Sequence, residues 1–260
     1  MVDMILKKIP STTVTTEESR PLFLKGGEEA VLLLHGYNGH PGDLVPVAHK
    51  LHSEGFTVFL PRLPGHGTNA ADFFQTTHLD WIRHAVDTFY DIRGSYKKIH
   101  LVGFSMGSLI ALYLSSYYRV DSIAVVNPAI IFKQPLMALI TAIALFIKKI
   151  PRKSNIAHES ESQKILFREY WAWYYPPMLA ELKRMNTKAR KRLRYTVADL
   201  FVIASTKDEL VRVEGADYIL KSVSSTNKSK MIFENSPHFC IGGPEKNEII
   251  AAVLHWLKTR

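Results

Sequence analysis

Five consecutive residues, Gly103-Phe104-Ser105-Met106-Gly107, put a hydroxyl between glycines that stand two positions away on either side. In a sharp turn from strand to helix the central serine takes a strained backbone conformation that projects its hydroxyl outward. Side chains two positions off would then collide unless they are glycine. A serine hydroxyl is a useful nucleophile only when a base takes its proton and an anion orients that base. Asp208, in Ser205-Thr206-Lys207-Asp208-Glu209, and His238, in Asn235-Ser236-Pro237-His238-Phe239, are the candidates downstream. The order Ser105, Asp208, His238 is the order in which an elbow of this type meets its acid and its base. The chemistry such a set supports is acyl transfer through a covalent intermediate on the serine.

Each role has a competitor. Glu209 is a second candidate acid, with Asp208 preferred because it comes first after the preceding apolar run. His66, in Leu63-Pro64-Gly65-His66-Gly67, is a second candidate base. Glycines on both sides of it indicate a tight backbone passage, so it reads as a loop anchor rather than a mobile imidazole. Acyl transfer also needs donors for the oxyanion of a tetrahedral intermediate. The N–H of Met106, at the start of the helix after the elbow, is one, helped by the positive end of the helix dipole. In His35-Gly36-Tyr37-Asn38-Gly39, Gly36 frees the turn and the N–H of Tyr37 is the second candidate.

These residues need a scaffold that brings them to one edge. Short apolar runs without alternation occupy residues 30–34, 57–60, 99–102, 123–126, 200–204 and 231–233, each ended by glycine, proline or a polar residue. That is the pattern of strands covered on both faces. Ser105 follows the third of these runs, Asp208 the fifth and His238 the sixth. Helical spacing of apolar residues fills 43–52, 80–92, 105–117, 213–223 and 246–257. Alternation of strand and helix predicts the α/β class, a mostly parallel central sheet with helices on both faces.

The alternation stops between residues 127 and 200. Residues 135–147 are apolar except for Thr141, and 161–175 and 178–194 read as further helices separated by Pro176-Pro177. The economical division is an α/β core of residues 1–127 and 196–260, with a helical lid inserted at 128–195. The apolar stretch 135–147 falls short of the ~20 residues that a bilayer core requires, so it reads as a lid helix lining an acyl pocket.

Composition bounds the rest. With 260 residues, 47% hydrophobic and 22% charged, the chain is neither a disordered tail, a collagen-like repeat nor a small disulfide scaffold. One cysteine, Cys240, excludes an intramolecular disulfide and a four-cysteine zinc site. Residues 1–10 lack the apolar run and small-residue cleavage site of a signal peptide, so a cytoplasmic protein is the expectation. The net charge of +9 is uneven, since residues 128–195 carry 14 Lys or Arg against four acids. Lys188, Arg190, Lys191, Arg192 and Arg194, with Lys148, Lys149, Arg152 and Lys153, form either a solvated helix face or a surface attracted to anionic lipid or acidic substrates. No nucleic-acid-binding module accompanies this charge, and nucleic acid is not an expected partner.

The motifs carry a family resemblance. Leu32-Leu33-Leu34-His35-Gly36-Tyr37, Leu63-Pro64-Gly65-His66-Gly67, Gly103-Phe104-Ser105-Met106-Gly107, Lys207-Asp208-Glu209 and Ser236-Pro237-His238 make the chain similar to serine hydrolases of the α/β-hydrolase fold. Within that fold it resembles bacterial carboxylesterases and monoacylglycerol lipases. The resemblance spans about residues 21–257, the middle insertion matching in position only. It implies Ser105 as nucleophile, His238 as base, Asp208 as orienting acid, and the N–H groups of Tyr37 and Met106 as the oxyanion hole. A carboxylic ester, short to medium in acyl chain or monoacylglycerol-like, is the implied substrate, with no metal or cofactor. Ser108 departs from the pattern, standing where a further glycine is usual. The His-Gly loop also lacks the triple glycine of relatives acting on bulky tertiary-alcohol esters. Other chemistry on the same three residues (thioester, amide or carbon-carbon hydrolysis) and a non-catalytic ligand-binding role remain the alternatives.

Overall fold

Seven strands form the central sheet of the computed structural model, which describes residues 8–133, 143–144, 146–152 and 160–260. In chain order the strands are β1 (Leu22–Leu24), β2 (Glu29–Leu34), β3 (Thr57–Leu60), β4 (Lys98–Phe104), β5 (Ser122–Val126), β6 (Ile150–Pro151), β7 (Trp173–Tyr174), β8 (Asp199–Ser205) and β9 (Lys228–Phe233). The sheet runs β1-β3-β2-β4-β5-β8-β9, while β6 and β7 pair with each other in a separate two-stranded ladder. Only β1 is antiparallel within the large sheet. The helices are α1 (Val45–Ser53), α2 (Ala70–Phe73), α3 (His78–Ile92), α4 (Met106–Ser115), α5 (Glu161–Leu166), α6 (Pro176–Arg192), α7 (Gly215–Ser222) and α8 (Lys246–Lys258).

The unbroken apolar runs have their cause in this arrangement. From their second residues onward β2, β4 and β8 are buried, and β5 is buried throughout, because both faces of each strand are covered. Successive residues feed two separate cores. Leu32, Leu34 and Leu101 join Phe89 of α3, Ile110 of α4, Met185 of α6 and Ile219 of α7 on one face. Val31, Leu33, Val102 and Phe104 join Leu51 of α1 and Ile249 and Val253 of α8 on the other. The expected α/β class is therefore found, with helices on both faces.

Three features differ from the expectations. Strand β1 lies outside the expected apolar runs. It has three residues, lies at the edge and is only partly buried, so it leaves no periodic signal. Strand β9 begins three residues before the apolar run, with Lys228, Ser229 and Lys230 exposed. It is the other edge rather than a strand covered on both faces, and edge lysines deter pairing with a second sheet.

The insertion also holds a short ladder where no strand was expected, Pro151 pairing with Trp173 and Ile150 with Tyr174. The expected helix at 161–175 is therefore shorter. It runs as α5, turns π-helical over Phe167–Trp171 and ends in β7. Pro176 and Pro177 do not separate two helices but open α6, where the missing N–H costs nothing. Residues 135–142 and 145 of the expected lid helix lie outside the described residues, as does Lys153.

Candidate active site

Strand β4 delivers the elbow to the carboxyl edge of the sheet. Ser105 has φ 52° and ψ −111°, outside the regions an ordinary residue prefers, and α4 begins at the next residue. The turn is this tight because β4 and α4 touch through their glycines: a β-carbon on Gly103 would come within 2.5 Å of Gly107 and Ser108 main-chain atoms. The departure at Ser108 has a local role. Its hydroxyl donates to the carbonyl of Gly103 at 2.7 Å and lies 3.3 Å from that of Val126, tying α4 back to the sheet.

The two downstream residues arrive from β8 and β9. His238 Nε2 lies 2.9 Å from Ser105 Oγ, and His238 Nδ1 lies 2.6 Å from Asp208 Oδ2. A carboxylate only accepts, so the imidazole donates from Nδ1–H to Asp208, which leaves the Nε2 lone pair to accept from the Ser105 hydroxyl. Asp208 is held in turn: its Oδ1 accepts the N–H groups of Leu210 and Val211, each at 2.8 Å. All three side chains are buried, Ser105 at 7% exposure and His238 at 9%, which lowers the local dielectric around the row.

The competitors take other positions. Glu209 does not meet the imidazole; its Oε2 accepts the main-chain N–H of His238 at 2.9 Å. His66 is fully buried between Gly65 (φ 76°) and Gly67 (φ 70°), donates from Nδ1 to the Pro64 carbonyl at 3.0 Å and packs its edge on Phe73 and Trp81. Burial pushes its pKa down to about 4. His35 is also buried and neutral, its pKa held well below the usual imidazole value by burial and then by His66. Its Nδ1–H donates to Gly36 O at 3.0 Å while Nε2 accepts Leu63 N–H at 3.1 Å, joining the loop after β2 to the loop after β3.

Around Tyr37 the structure gives a different reason for Gly36. Its φ is not positive; a β-carbon there would stand 3.1 Å from the Phe104 ring and 3.4 Å from Ser105 Cβ. The glycine permits close approach to the elbow, and the left-handed residue of the loop is Asn38, with φ 61°. The Tyr37 ring packs on Phe73 and Trp81, and burial raises its phenol pKa well above the ordinary value.

The insertion grips this same loop. Asn38 Nδ2 donates to the Tyr170 carbonyl at 2.8 Å, and Trp171 Nε1 donates to the Asn38 carbonyl at 3.1 Å. Tyr170 Oη donates to Gly65 O at 2.8 Å and accepts from Thr68 N–H at 3.0 Å. The π-helical turn that carries Tyr170 and Trp171 is thus fastened to the loops following both β2 and β3.

At the far end of the insertion several cations are occupied. Arg192 stacks on Tyr117 and Tyr195 at 4.0 and 4.1 Å and donates to Ser116 O at 2.9 Å. Arg190 stacks on Tyr218 at 4.7 Å. Part of the basic excess therefore fixes α6 to the core.

Comparison with known proteins agrees with this architecture. Residues 31–245 match the model of the alpha/beta hydrolase family. The chain belongs to that family. Among curated relatives, the thermostable monoacylglycerol lipase of Bacillus sp. (strain H-257) is 29% identical over 227 residues, 85% of this chain and 86% of that one. The carboxylesterase of Bacillus subtilis (strain 168) is 25% identical over 244 residues, 92% and 96% of the two chains. Among solved structures, one from work on the metagenome-derived lipolytic enzymes LipS and LipT superposes with a TM-score of 0.85 at 23% identity, covering 95% of this chain and all of that one. The monoacylglycerol lipase of Paleococcus ferrophilus gives 0.73 at 18% identity, covering 91% and 97%. No helix among the described residues of this alpha/beta hydrolase is long and apolar enough to cross a membrane.

Sequence reasoning missed Asn127. It follows β5 with φ 42°, is fully buried, and donates from Nδ2 to the carbonyl of His238 at 2.9 Å, with that of Pro237 3.4 Å away. The available signal was an asparagine between the apolar run 123–126 and Pro128, since asparagine tolerates the left-handed region better than most residues.

Proposed function

We propose that this alpha/beta hydrolase is a serine esterase that cleaves carboxylic esters, of short to medium acyl chain or monoacylglycerol type, through an acyl-enzyme on Ser105. The observation that carries the reading is the hydrogen-bonded row from Ser105 Oγ through the His238 imidazole to Asp208. The kinship with a monoacylglycerol lipase and a carboxylesterase supports the ester class.

In this reading His238 Nε2 takes the proton of Ser105 as Oγ attacks the ester carbonyl. Asp208 keeps the imidazole in the required tautomer and stabilises the imidazolium. The N–H groups of Met106 and Tyr37 receive the oxyanion, that of Met106 standing at the first residue of α4 where the helix dipole is positive. Collapse of the tetrahedral intermediate expels the alcohol, protonated by His238. Water then attacks the acyl-enzyme, gives its proton to His238, and releases the acid while Ser105 regains its hydrogen.

Residues 128–195 act as the lid over this site, fastened at Tyr170 and Trp171 to the loop that holds Tyr37. Their exposed cations, including Lys148, Lys191 and Arg194, make the lid the surface for peripheral contact with anionic lipid. Salt-sensitive co-sedimentation with anionic vesicles, lost when these three are replaced by serine, tests that part.

A fluorophosphonate labels the wild-type protein and not Ser105→Ala if the reading holds. Turnover of p-nitrophenyl esters of increasing acyl length then sizes the pocket. A well-folded wild-type protein that takes no label would leave a ligand-binding role on this fold, and faster turnover of an amide or thioester with the same acyl group would reassign the substrate.

A further inference from the structure

The Val126-Asn127 peptide touches both halves of the proposed machinery. On one side the Val126 carbonyl accepts the main-chain N–H of Ser105 at 2.9 Å. On the other the Asn127 carboxamide donates to the His238 carbonyl at 2.9 Å and reaches toward that of Pro237 at 3.4 Å. Asn127 is itself fixed, its N–H donating to the Ile203 carbonyl of β8 at 2.9 Å, two residues before that strand ends and the chain leads to Asp208. One buried dipeptide between β4 and β8 is therefore bonded both to the main chain that carries the hydroxyl and to the main chain that carries the imidazole.

We propose that Asn127 is a positioning residue for His238: its carboxamide holds the main chain of the His238 loop in the register that brings Nε2 to Ser105 Oγ. The proposal rests on the esterase reading for its kinetic consequence, and on geometry alone for its structural one. Other anchors lie to either side: Glu245 accepts from Asn235 N–H and Ser236 Oγ at 3.0 and 2.6 Å, and Cys240 and Ile241 are buried in the core. At His238 itself the N–H is taken by the exposed Glu209, and among the described residues the carbonyl otherwise accepts only from Cys240 N–H two residues on, a contact inside the loop itself.

The residue type follows from two demands. A φ of 42° suits glycine, asparagine and aspartate, and the two carbonyls facing the side chain require a donor. Glycine offers no side chain. Aspartate presents a carboxylate to two carbonyl oxygens. Asparagine satisfies both demands, which is why the carboxamide is at this strand end.

Asn127→Gly removes the donor and keeps the backbone at ease; Asn127→Asp keeps shape and backbone preference and serves where the glycine variant is unstable. Three readouts apply to the full chain: the fraction of sites titrated by a fluorophosphonate, kcat per titrated site with KM on p-nitrophenyl butyrate, and the low-field Nδ1–H proton of His238 by NMR, assigned by its loss in His238→Ala.

The expected result is a kcat per titrated site lower by on the order of 10²-fold with KM nearly unchanged, and a broadened or missing low-field proton. A folded variant with wild-type kcat per titrated site and a wild-type low-field proton overturns the proposal. A purely structural role lowers the melting temperature and the titrated fraction but leaves kcat per site intact, and that outcome also overturns it. If the wild-type protein neither takes the phosphonate nor turns over esters, the esterase reading fails, and the low-field proton by itself decides whether Asn127 positions the imidazole.

Discussion

A β-carbon on Gly107 would stand 1.9 Å from the carbonyl oxygen of Leu34, so the helix after the elbow lies directly against the end of β2. That contact brings the loop containing Tyr37 beside the turn containing Ser105. Leu34 cannot withdraw, because β2 is paired on both sides, with β3 and with β4.

Gly107→Ala must therefore push α4 away from the sheet. We expect a loss of about 1–3 kcal/mol or more, the range for overpacking a tight interior, together with loss of ester turnover. Urea unfolding followed by circular dichroism measures the first. A variant with the wild-type midpoint would mean that α4 has room the geometry denies.

Asp208→Asn tests the tautomer. An amide oxygen still accepts from Leu210 and Val211, but its NH₂ then faces His238 Nδ1 and favours a proton on Nε2, where it cannot receive one from Ser105. A drop in kcat of about 10⁴-fold with little change in unfolding midpoint is expected. Near wild-type turnover of purified Asp208→Asn would remove Asp208 from its proposed role.

Acid should weaken the fold through its buried imidazoles. Burial lowers the pKa of folded His66 to about 4, whereas the unfolded residue titrates near 6.5. Between these values the unfolded chain binds a proton that the folded chain refuses. The His66 contribution is complete above about pH 6.5, falls as the pH drops toward 4, and is spent below it. His35, His84 and His100, whose pKa values are also lowered chiefly by burial, act in the same direction. The His66 contribution is on the order of 3 kcal/mol over that window. Unfolding midpoints at closely spaced pH values give the slope, which should flatten in His66→Asn, and an unchanged slope would contradict the assignment.

Glu181 of α6 fastens the insertion to α3. Its Oε2 accepts both the N–H and the Nδ1–H of His78, at 3.1 and 2.6 Å, and its Oε1 accepts from Arg184. Glu181→Ala leaves two buried donors of His78 without a partner and should cost about 1–3 kcal/mol. Glu181→Gln keeps an acceptor and should cost less. A double-mutant cycle with His78→Ala isolates the pair, and a coupling energy indistinguishable from zero would count against the latch.

Much of this architecture is legible from residue order. Continuous apolar runs reveal β2, β4, β5 and β8 because those strands are covered on both faces, and the pair Gly103 and Gly107 marks the elbow because only glycine tolerates that approach. The edges are less legible. β1 lacks the uniform burial that generates a pattern, β9 is marked only by the apolar run over its last three residues, and the two-residue strands β6 and β7 are held by pairing with each other rather than by any periodicity of their own.

The sequence by itself determined the class of fold, the elbow and the candidates for acid and base, since strand burial and glycine sterics are local demands written into residue type. Which acid faces the imidazole, and what keeps the imidazole in place, was decided only in three dimensions. Asp208 and Glu209 are adjacent and chemically alike, yet one meets the His238 ring and the other its main chain. Asn127 reaches a carbonyl 111 residues away. Side-chain direction at the end of a strand depends on the turn that follows and on the neighbouring strands, and no spacing along the chain encodes that.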